Sequence, residues 1–560
     1  MKIFQTKEFH PSGTEIIAPP AHMISVRGDF AGDAAAILAT RGWNIGTPCD
    51  LIIETIRAFE PEMKKIPGSG RDSDEIYEVR AGYAHGVPSF TIRSAYSRGL
   101  RHALTLIEEM IGAGSFLPGT YFDYPAFTLR GVVEGFYGFP WKSDERKGIM
   151  ALMERLRMNA YFYGPKNDAF HRENWGAPFA REDLIRLGRT AADAAGHGLD
   201  FYYCIGPGLT VKYSDERDLE SIVAKARQAY DAGIRCFGLF LDDIPPFLQY
   251  DSDTESFSDL VGAHIAFVNR FYGRVRGIDP DIALALCPQQ YCGKGTEDYI
   301  TRIGQGIPAD LRLMWTGPDI CSKELAAADA ATFRNSTGHK PLYWDNYPVN
   351  DADMYNEMHI GPLTGRDADL GDHCEGLLAN CMEAAECTKI PLISIGAYLW
   401  DPAGYEPEAA FREALSEIAG EQDGEDLLFF ADNLRVSCLK DKNASLLSDC
   451  LYKVKFLLKT GQEAAAATEL ESYLDKLVRC GDRFRTGLEN SALQKELSRW
   501  IDKHFLLERI LRSCLEYIET KETFPAVGIA ESIDRYKKSA TVYAGFCVEE
   551  FTDDLTGKFY

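Results

Sequence analysis

Apolar positions follow three different rhythms along this chain. Up to about residue 121, short β-rich runs ("MISVRG", "LIIETI", "EIYEVRA", "SFTIRSA") are mixed with helical stretches such as residues 94–111, the pattern of a sheet covered by helices. From about Asp123 to Pro407 the rhythm becomes strand, loop and helix, repeated. Eight apolar or β-branched runs stand out, at residues 129–133, 160–163, 201–205, 236–241, 282–287, 311–315, 342–344 and 376–379. Most are separated by helical stretches with acids near the start, such as 143–157, and the stretch 216–233 ends on glycine. Such alternation builds a parallel sheet, and eight repeats over roughly 280 residues is the size of a (β/α)8 barrel. From about Glu408 strand signals vanish. Leu447, Leu451, Val454 and Leu458 recur at helical spacing, as do Leu493, Leu497, Trp500, His504, Leu507, Leu511 and Leu515. That tail reads as a helical bundle, with His504 a core histidine.

The predicted organisation is therefore α/β: a small α/β domain over 1–122, a (β/α)8 TIM barrel over 123–407 and a helical domain over 408–560. A chain of 560 residues exceeds what one core usually supports, and 45% hydrophobic residues with 12% aromatics are enough to fill several. Sixty basic against 84 acidic residues leave a formal charge of −24, which argues against nucleic acid or an anionic membrane as partner. The amino terminus lacks the apolar stretch of a signal peptide, and no segment reaches the roughly 18 apolar residues of a spanning helix, so a soluble cytoplasmic chain is expected. The 14 cysteines include no CxxC pair, and Cys204, Cys236 and Cys287 sit in apolar runs; buried thiols are expected rather than disulfides or a metal site. "PGSGR" at 67–71 looks like a phosphate loop but lacks its context and reads as a turn.

A barrel of this type assembles its site at the carboxyl ends of its strands. Polar residues collect there: "EGFYG", "GPKND", "GPG", "DDIPP", "CPQQY", "WTGPD", "WDNYPVND" and "NCMEAAE" follow the eight runs in order. Their Asp, Asn and Lys suit the hydroxyls of a sugar, and their Tyr and Trp suit its apolar faces. No metal-ligand spacing and no nucleotide loop is present, so neither metal nor cofactor is expected. Asp242 and Asp243 suit glycoside hydrolysis, where one carboxyl is protonated and one ionised; two like charges held close push one toward the neutral form. Adjacent strand residues point to opposite faces, so the pair can converge only where the strand ends, which Pro245 and Pro246 enforce. Their closeness suits neighbouring atoms on one sugar, such as the glycosidic oxygen and the acetamido nitrogen of an N-acetylated ring. That favours hydrolysis assisted by the substrate's own acetamide.

"RGVVEGFYGFPW", "NAYFYGPKNDAFHRENW", "FLDDI", "YWDNYPVND" and "GLLANCMEAAECTKI" resemble glycoside hydrolase family 84, the O-GlcNAcases and related β-N-acetylglucosaminidases. The resemblance spans the middle region in order and is diffuse on both sides of it. It implies a retaining exo-β-N-acetylglucosaminidase that works through an oxazoline. Asp242 would polarise the acetamido N–H, and Asp243 would protonate the leaving oxygen and then activate water. Gly135, Lys166, Asp351 and Asn380 match positions that bind sugar hydroxyls, and Asn346 one beside the catalytic pair. Tyr291, Thr316 and Trp344 match positions around the acetamido group, and Tyr137 one lining the sugar site. Ile320 stands where the family often has valine, which trims the methyl pocket. Implied partners are β-linked N-acetylglucosaminides, including O-GlcNAc proteins or glycans, with the chain a monomer or homodimer and without a cofactor. Two rival readings stay open: a hyaluronidase-like endo-hexosaminidase and a non-catalytic glycan-binding protein.

Overall fold

Barrel strands form where the sequence supplies runs that can be buried on both faces. The computed structural model describes residues 6–18, 23–441, 444–545 and 547–556. The outermost residues of the first and last predicted domains (1–5 and 557–560), and part of the stretch read for a signal peptide, lie outside the described residues. Leu129–Glu134, Pro341–Asp345 and Gly376–Asn380 are buried at every position, as parallel strands are when side chains fill the barrel and helices cover it. With Ala160–Tyr163, Asp200–Ile205, Cys236–Phe240, Ala283–Cys287 and Arg312–Trp315 they close a parallel barrel in chain order. The eighth strand pairs back onto the first, with Gly376 opposite Leu129. The eight apolar runs are these eight strands.

The barrel interior is a filled core, as this architecture requires. Phe162 stacks on Tyr202 with centroids 3.9 Å apart, and Cys204, Met314, Leu342 and Leu378 pack around them. Phe240 and Trp344, 5.2 Å apart, belong to the same cluster and bring it up to the carboxyl ends of the strands.

At the opposite end sits a six-stranded mixed sheet, in the order Glu8–Pro11, Gly119–Asp123, Tyr77–Ala84, Val87–Ser94, Leu51–Arg57, Ile24–Gly28, with helix Ser97–Gly112 packed on it. The seam with the barrel is ionic. Arg130 meets Glu75 at 2.7 Å, Arg157 meets Asp123 at 3.5 Å, and Asn159 Nδ2 donates to Glu75 at 3.1 Å. Glu154 of the barrel accepts from Arg41 at 2.7 Å and also from Arg101, both in the amino-terminal region. "PGSGR" is a turn, with Gly68 and Gly70 at φ 78° and 65°. Its Arg71 donates to the carbonyls of Ala126 (2.6 Å) and Gly371 (2.9 Å), so the turn clasps the barrel.

Past the barrel the chain is helical, and helices Ser445–Lys459, Glu463–Thr486 and Ser498–Thr520 pack in succession. His504 is fully buried, with its ring nitrogens on Tyr543 Oη and the Leu477 carbonyl at 2.7 and 2.9 Å. The stripe read as continuous from Leu493 to Leu515 is interrupted at Leu497, between Ser491–Glu496 and Ser498–Thr520. Just before the break, Glu496 accepts the N–H groups of Glu386 (3.1 Å) and Cys387 (2.8 Å), capping barrel helix Ala385–Trp400 and fastening the helical region to the barrel. No helix among the described residues is long and apolar enough to cross a membrane.

Candidate active site

The fourth strand ends at Phe240; the Leu241 N–H makes one further bond, to the Cys287 carbonyl at 2.8 Å, and the chain then leaves the ladder. Asp243 adopts φ 54°, in the left-handed region that non-glycine residues seldom occupy. That local turn lets two adjacent carboxylates face one cavity instead of opposite sides of the sheet. They are unequally placed: the Asp242 side chain is 7% exposed and the Asp243 side chain 31%.

Lys166, from the loop after the second strand, reaches across the barrel mouth to both. Its ammonium pairs with Asp242 Oδ2 and lies 3.6 Å from Asp243 Oδ2. Burial alone would lower the Lys166 pKa, but the two carboxylates outweigh it and the net shift is upward. Asp243 also accepts from Tyr137 Oη and Tyr291 Oη, each at 2.8 Å. Burial would raise its pKa; Lys166, the two phenols and Arg172 together hold it below the usual carboxylate value. At Asp243, then, the like-charge repulsion expected between neighbouring carboxyls is outweighed. The lysine between the carboxylates supplies the missing positive charge. Both phenols have raised pKa values, from burial first, and so remain donors.

The walls are built by side chains bonded to one another. Asn346 Oδ1 accepts from Trp344 Nε1 and Asn380 Nδ2, both at 2.9 Å, and Asn346 Nδ2 donates to the Ile320 carbonyl at 2.8 Å. Thr316 is tied to the Tyr291 carbonyl through its N–H at 2.7 Å and to the Asp319 carbonyl through its hydroxyl at 2.7 Å. Asp351 accepts the Tyr137 N–H at 2.7 Å; burial raises its pKa against the pull of that bond and of Lys166. Gly135 has a steric reason to be glycine, since a Cβ there would come within 2.5 Å of the Trp344 ring. Asn380 Oδ1 is buried and has no hydrogen-bond partner among the described residues. An unpaired buried acceptor on the wall of a cavity is what a site awaiting a hydroxyl looks like.

All twelve candidate residues (Gly135, Tyr137, Lys166, Asp242, Asp243, Tyr291, Thr316, Ile320, Trp344, Asn346, Asp351, Asn380) line one cavity of about 410 Å³. Ile320 stands at its rim, 54% exposed. Cys287, Cys321 and Val349 line it as well. Cys287 reads in the sequence as a small hydrophobe, and its position as the last residue of the fifth strand is the signal for its second role. Other strand-end acids serve packing: Glu134 is clasped by Arg146 through two 2.8 Å bonds. Trp141, Trp175, Trp315 and Trp400 are buried in the core, as their apolar surroundings suggest.

Comparison with known proteins places the chain in a family. The sequence profile described as beta-N-acetylglucosaminidase covers residues 130–432. Protein O-GlcNAcase from Rattus norvegicus and from Mus musculus are each 31% identical over 258 residues, 45% of this chain. The chain spans only 28% of the length of those relatives. Among solved structures, a mutant of the Thermobaculum terrenum O-GlcNAc hydrolase superposes with TM-score 0.74 at 28% identity, over 78% of this chain and 95% of that one. CpGH84B superposes with TM-score 0.83 at 23% identity, over 98% of this chain and 99% of its own, which extends the likeness of fold to the flanking regions. With the profile spanning the barrel and the paired carboxylates at its mouth, the chain belongs to the beta-N-acetylglucosaminidase family, glycoside hydrolase family 84.

Proposed function

We propose that this protein is a retaining exo-β-N-acetylglucosaminidase that removes terminal GlcNAc, including O-GlcNAc from protein serine or threonine, with the substrate's acetamide as nucleophile. The observation that carries the reading is the convergence of two adjacent carboxylates, one buried and one half-exposed, on a single cavity. At about 410 Å³ it lies at the small end of ligand sites and suits one substituted sugar ring.

In this reading Asp242 accepts the acetamido N–H, which makes the carbonyl oxygen a better nucleophile toward C1. An oxazoline forms as the glycosidic bond breaks, and Asp243 gives its proton to the leaving oxygen. Asp243 then takes a proton from water, which opens the oxazoline with net retention. Asn380 Oδ1, Asp351, Lys166 and the Gly135 backbone bind the ring hydroxyls. Tyr291, Thr316, Trp344 and Ile320 surround the acetamide, and Asn346 fixes Trp344 and Asn380 in place. Lys166, the phenols and Arg172 hold the Asp243 pKa below the usual carboxylate value in the empty site, so binding must shift it back toward the acid form. A sugar does this by excluding water from the carboxyl and by drawing the Lys166 ammonium to a hydroxyl.

The hyaluronidase-like reading fares worse on charge. Of the lining side chains only Lys166 is basic, against Asp242, Asp243, Asp351 and Asp353, a poor match for a polyanionic glycan. Hydrolysis of 4-nitrophenyl β-N-acetylglucosaminide, with the β-anomer of GlcNAc as first product, is the expected result. Binding of the sugar without turnover of any aryl β-N-acetylglucosaminide would sink the proposal.

A further inference from the structure

Arg172 stands outside the cavity, yet its guanidinium holds Asp243 at two points. Nη2 donates to the Asp243 carbonyl at 2.9 Å, and Nη1 donates to Tyr137 Oη at 3.0 Å. That phenol in turn donates to Asp243 Oδ2 at 2.8 Å. The main-chain contact falls on the residue at φ 54°, a conformation that persists only where surroundings over-determine it. The second contact sets the direction of the phenol, and through it the side chain.

Arg172 is itself well anchored. The carbonyl of the preceding His171 accepts the Gly206 N–H at 2.8 Å, and the His171 ring meets the Cys204 carbonyl at 2.8 Å. Asp168 fastens the same loop by accepting from the Phe170 N–H (2.9 Å) and Tyr163 Oη (2.6 Å). Among the described residues no carboxylate oxygen lies within ion-pair distance of the Arg172 guanidinium, so its charge is not spent on a salt bridge. Two parallel donors serving two acceptors is the geometry of a guanidinium fork; an ammonium at this reach could serve one.

We propose that Arg172 is a positioning residue for the reaction: it fixes the left-handed backbone of Asp243 and, through Tyr137, aims Oδ2 at the leaving oxygen without touching the sugar. This rests on reading Asp243 as the proton donor.

The test compares wild type, Asp243→Asn, Arg172→Met and Arg172→Lys on aryl β-N-acetylglucosaminides spanning good to poor leaving groups, with kcat/KM followed against pH. Arg172→Met should lose about 10- to 100-fold on poor leaving groups, the range a misplaced catalytic group entails, and little on dinitrophenolate. The groups facing Asp243 are Tyr137, Lys166, Arg172, Asp242, Tyr291 and Asp351. Removing the Arg172 charge from that set favours the protonated carboxyl, so the basic limb of kcat/KM should move to higher pH. Arg172→Lys keeps the charge and one donor, and should show a smaller leaving-group effect with the limb unmoved. Equal loss on every leaving group with the limb in place would overturn the proposal. If Arg172→Met fails to fold, Arg172→Lys decides alone: an unchanged leaving-group dependence overturns the proposal. The reading beneath it is checked separately, since Asp243→Asn must itself steepen the leaving-group dependence; if it does not, Asp243 is not the acid.

Discussion

At the amino ends of the barrel strands, Arg130 and Arg157 are fully buried and face Glu75 at 2.7 Å and Asp123 at 3.5 Å. At the carboxyl ends, one buried lysine faces two carboxylates, one of them in a left-handed conformation, beside a cavity and an unpaired amide oxygen. Both clusters bury charge at strand termini, and both would attract attention in a search for perturbed ionisable groups. The lower cluster balances charge against charge where two parts of the fold meet. Among the described residues both leave a buried polar atom without a hydrogen bond, in the His102 ring below and at Asn380 Oδ1 above, but the upper one also keeps an excess of acid and room for a ligand. Burial of charge is therefore a weak marker of a site, and the surplus left after partners are counted is a stronger one.

Substitutions at the two ends should separate activity from stability. Asp242→Asn and Asp243→Asn are expected to lower kcat/KM by roughly 10² to 10⁴ on alkyl glycosides, the usual worth of acid–base groups, with Tm little changed. Asp243→Asn should recover most of its loss on dinitrophenyl substrates, and Asp242→Asn should not. Arg130→Met strands Glu75 without its guanidinium and should cost about 3–5 kcal/mol in urea unfolding, while kcat per folded molecule stays within a few-fold of wild type.

The lower seam should also fail in acid. Burial would raise the pKa of Glu154, but His197, Arg41 and Arg101 outweigh it and hold it at about 2. A folded-state value below the unfolded one stabilises the fold above the unfolded pKa, and that stability is lost as pH falls toward the folded value. From about 4.5 down to 2 the loss amounts to roughly 3 kcal/mol, which Glu154→Gln should remove from the pH dependence of chemical unfolding. At the upper end the pH dependence concerns turnover. Activity needs the protonated acid, and a bound sugar displaces water and Lys166, so the basic limb of kcat should lie above that of kcat/KM. Coincident limbs would argue against that displacement. The smallest effect is expected at Ile320: because it stands at the rim, Ile320→Ala should raise the rate on an N-propanoyl relative to an N-acetyl substrate by only about threefold.

The barrel was legible because parallel strands covered on both sides read as unbroken apolar runs, and because polar residues follow each run at the same end. Asp242 and Asp243 could be singled out since the prolines after them forbid the strand to continue. What was hidden depends on partners distant in the chain. The charge that offsets repulsion at the acids comes from Lys166, 76 residues before Asp242. Arg130 and Asn159 open two of the family motifs, yet serve the seam, because strand beginnings face the amino-terminal sheet and Glu75. Arg172 gave no signal of its own: nothing in "AFHRENW" says that the next loop but one will turn left-handed beneath it.

The central claim is that the two acids serve neighbouring atoms of one sugar, with the acetamide between them as nucleophile. Its most direct test is the rate on aryl glycosides whose N-acyl group is acetyl, difluoroacetyl or trifluoroacetyl. Fluorine withdraws electrons from the carbonyl oxygen, so kcat/KM should fall steeply, by orders of magnitude across the series, while the leaving group stays the same. A flat series, or a covalent glycosyl-enzyme seen by mass spectrometry, would place the nucleophile on the protein and contradict the account.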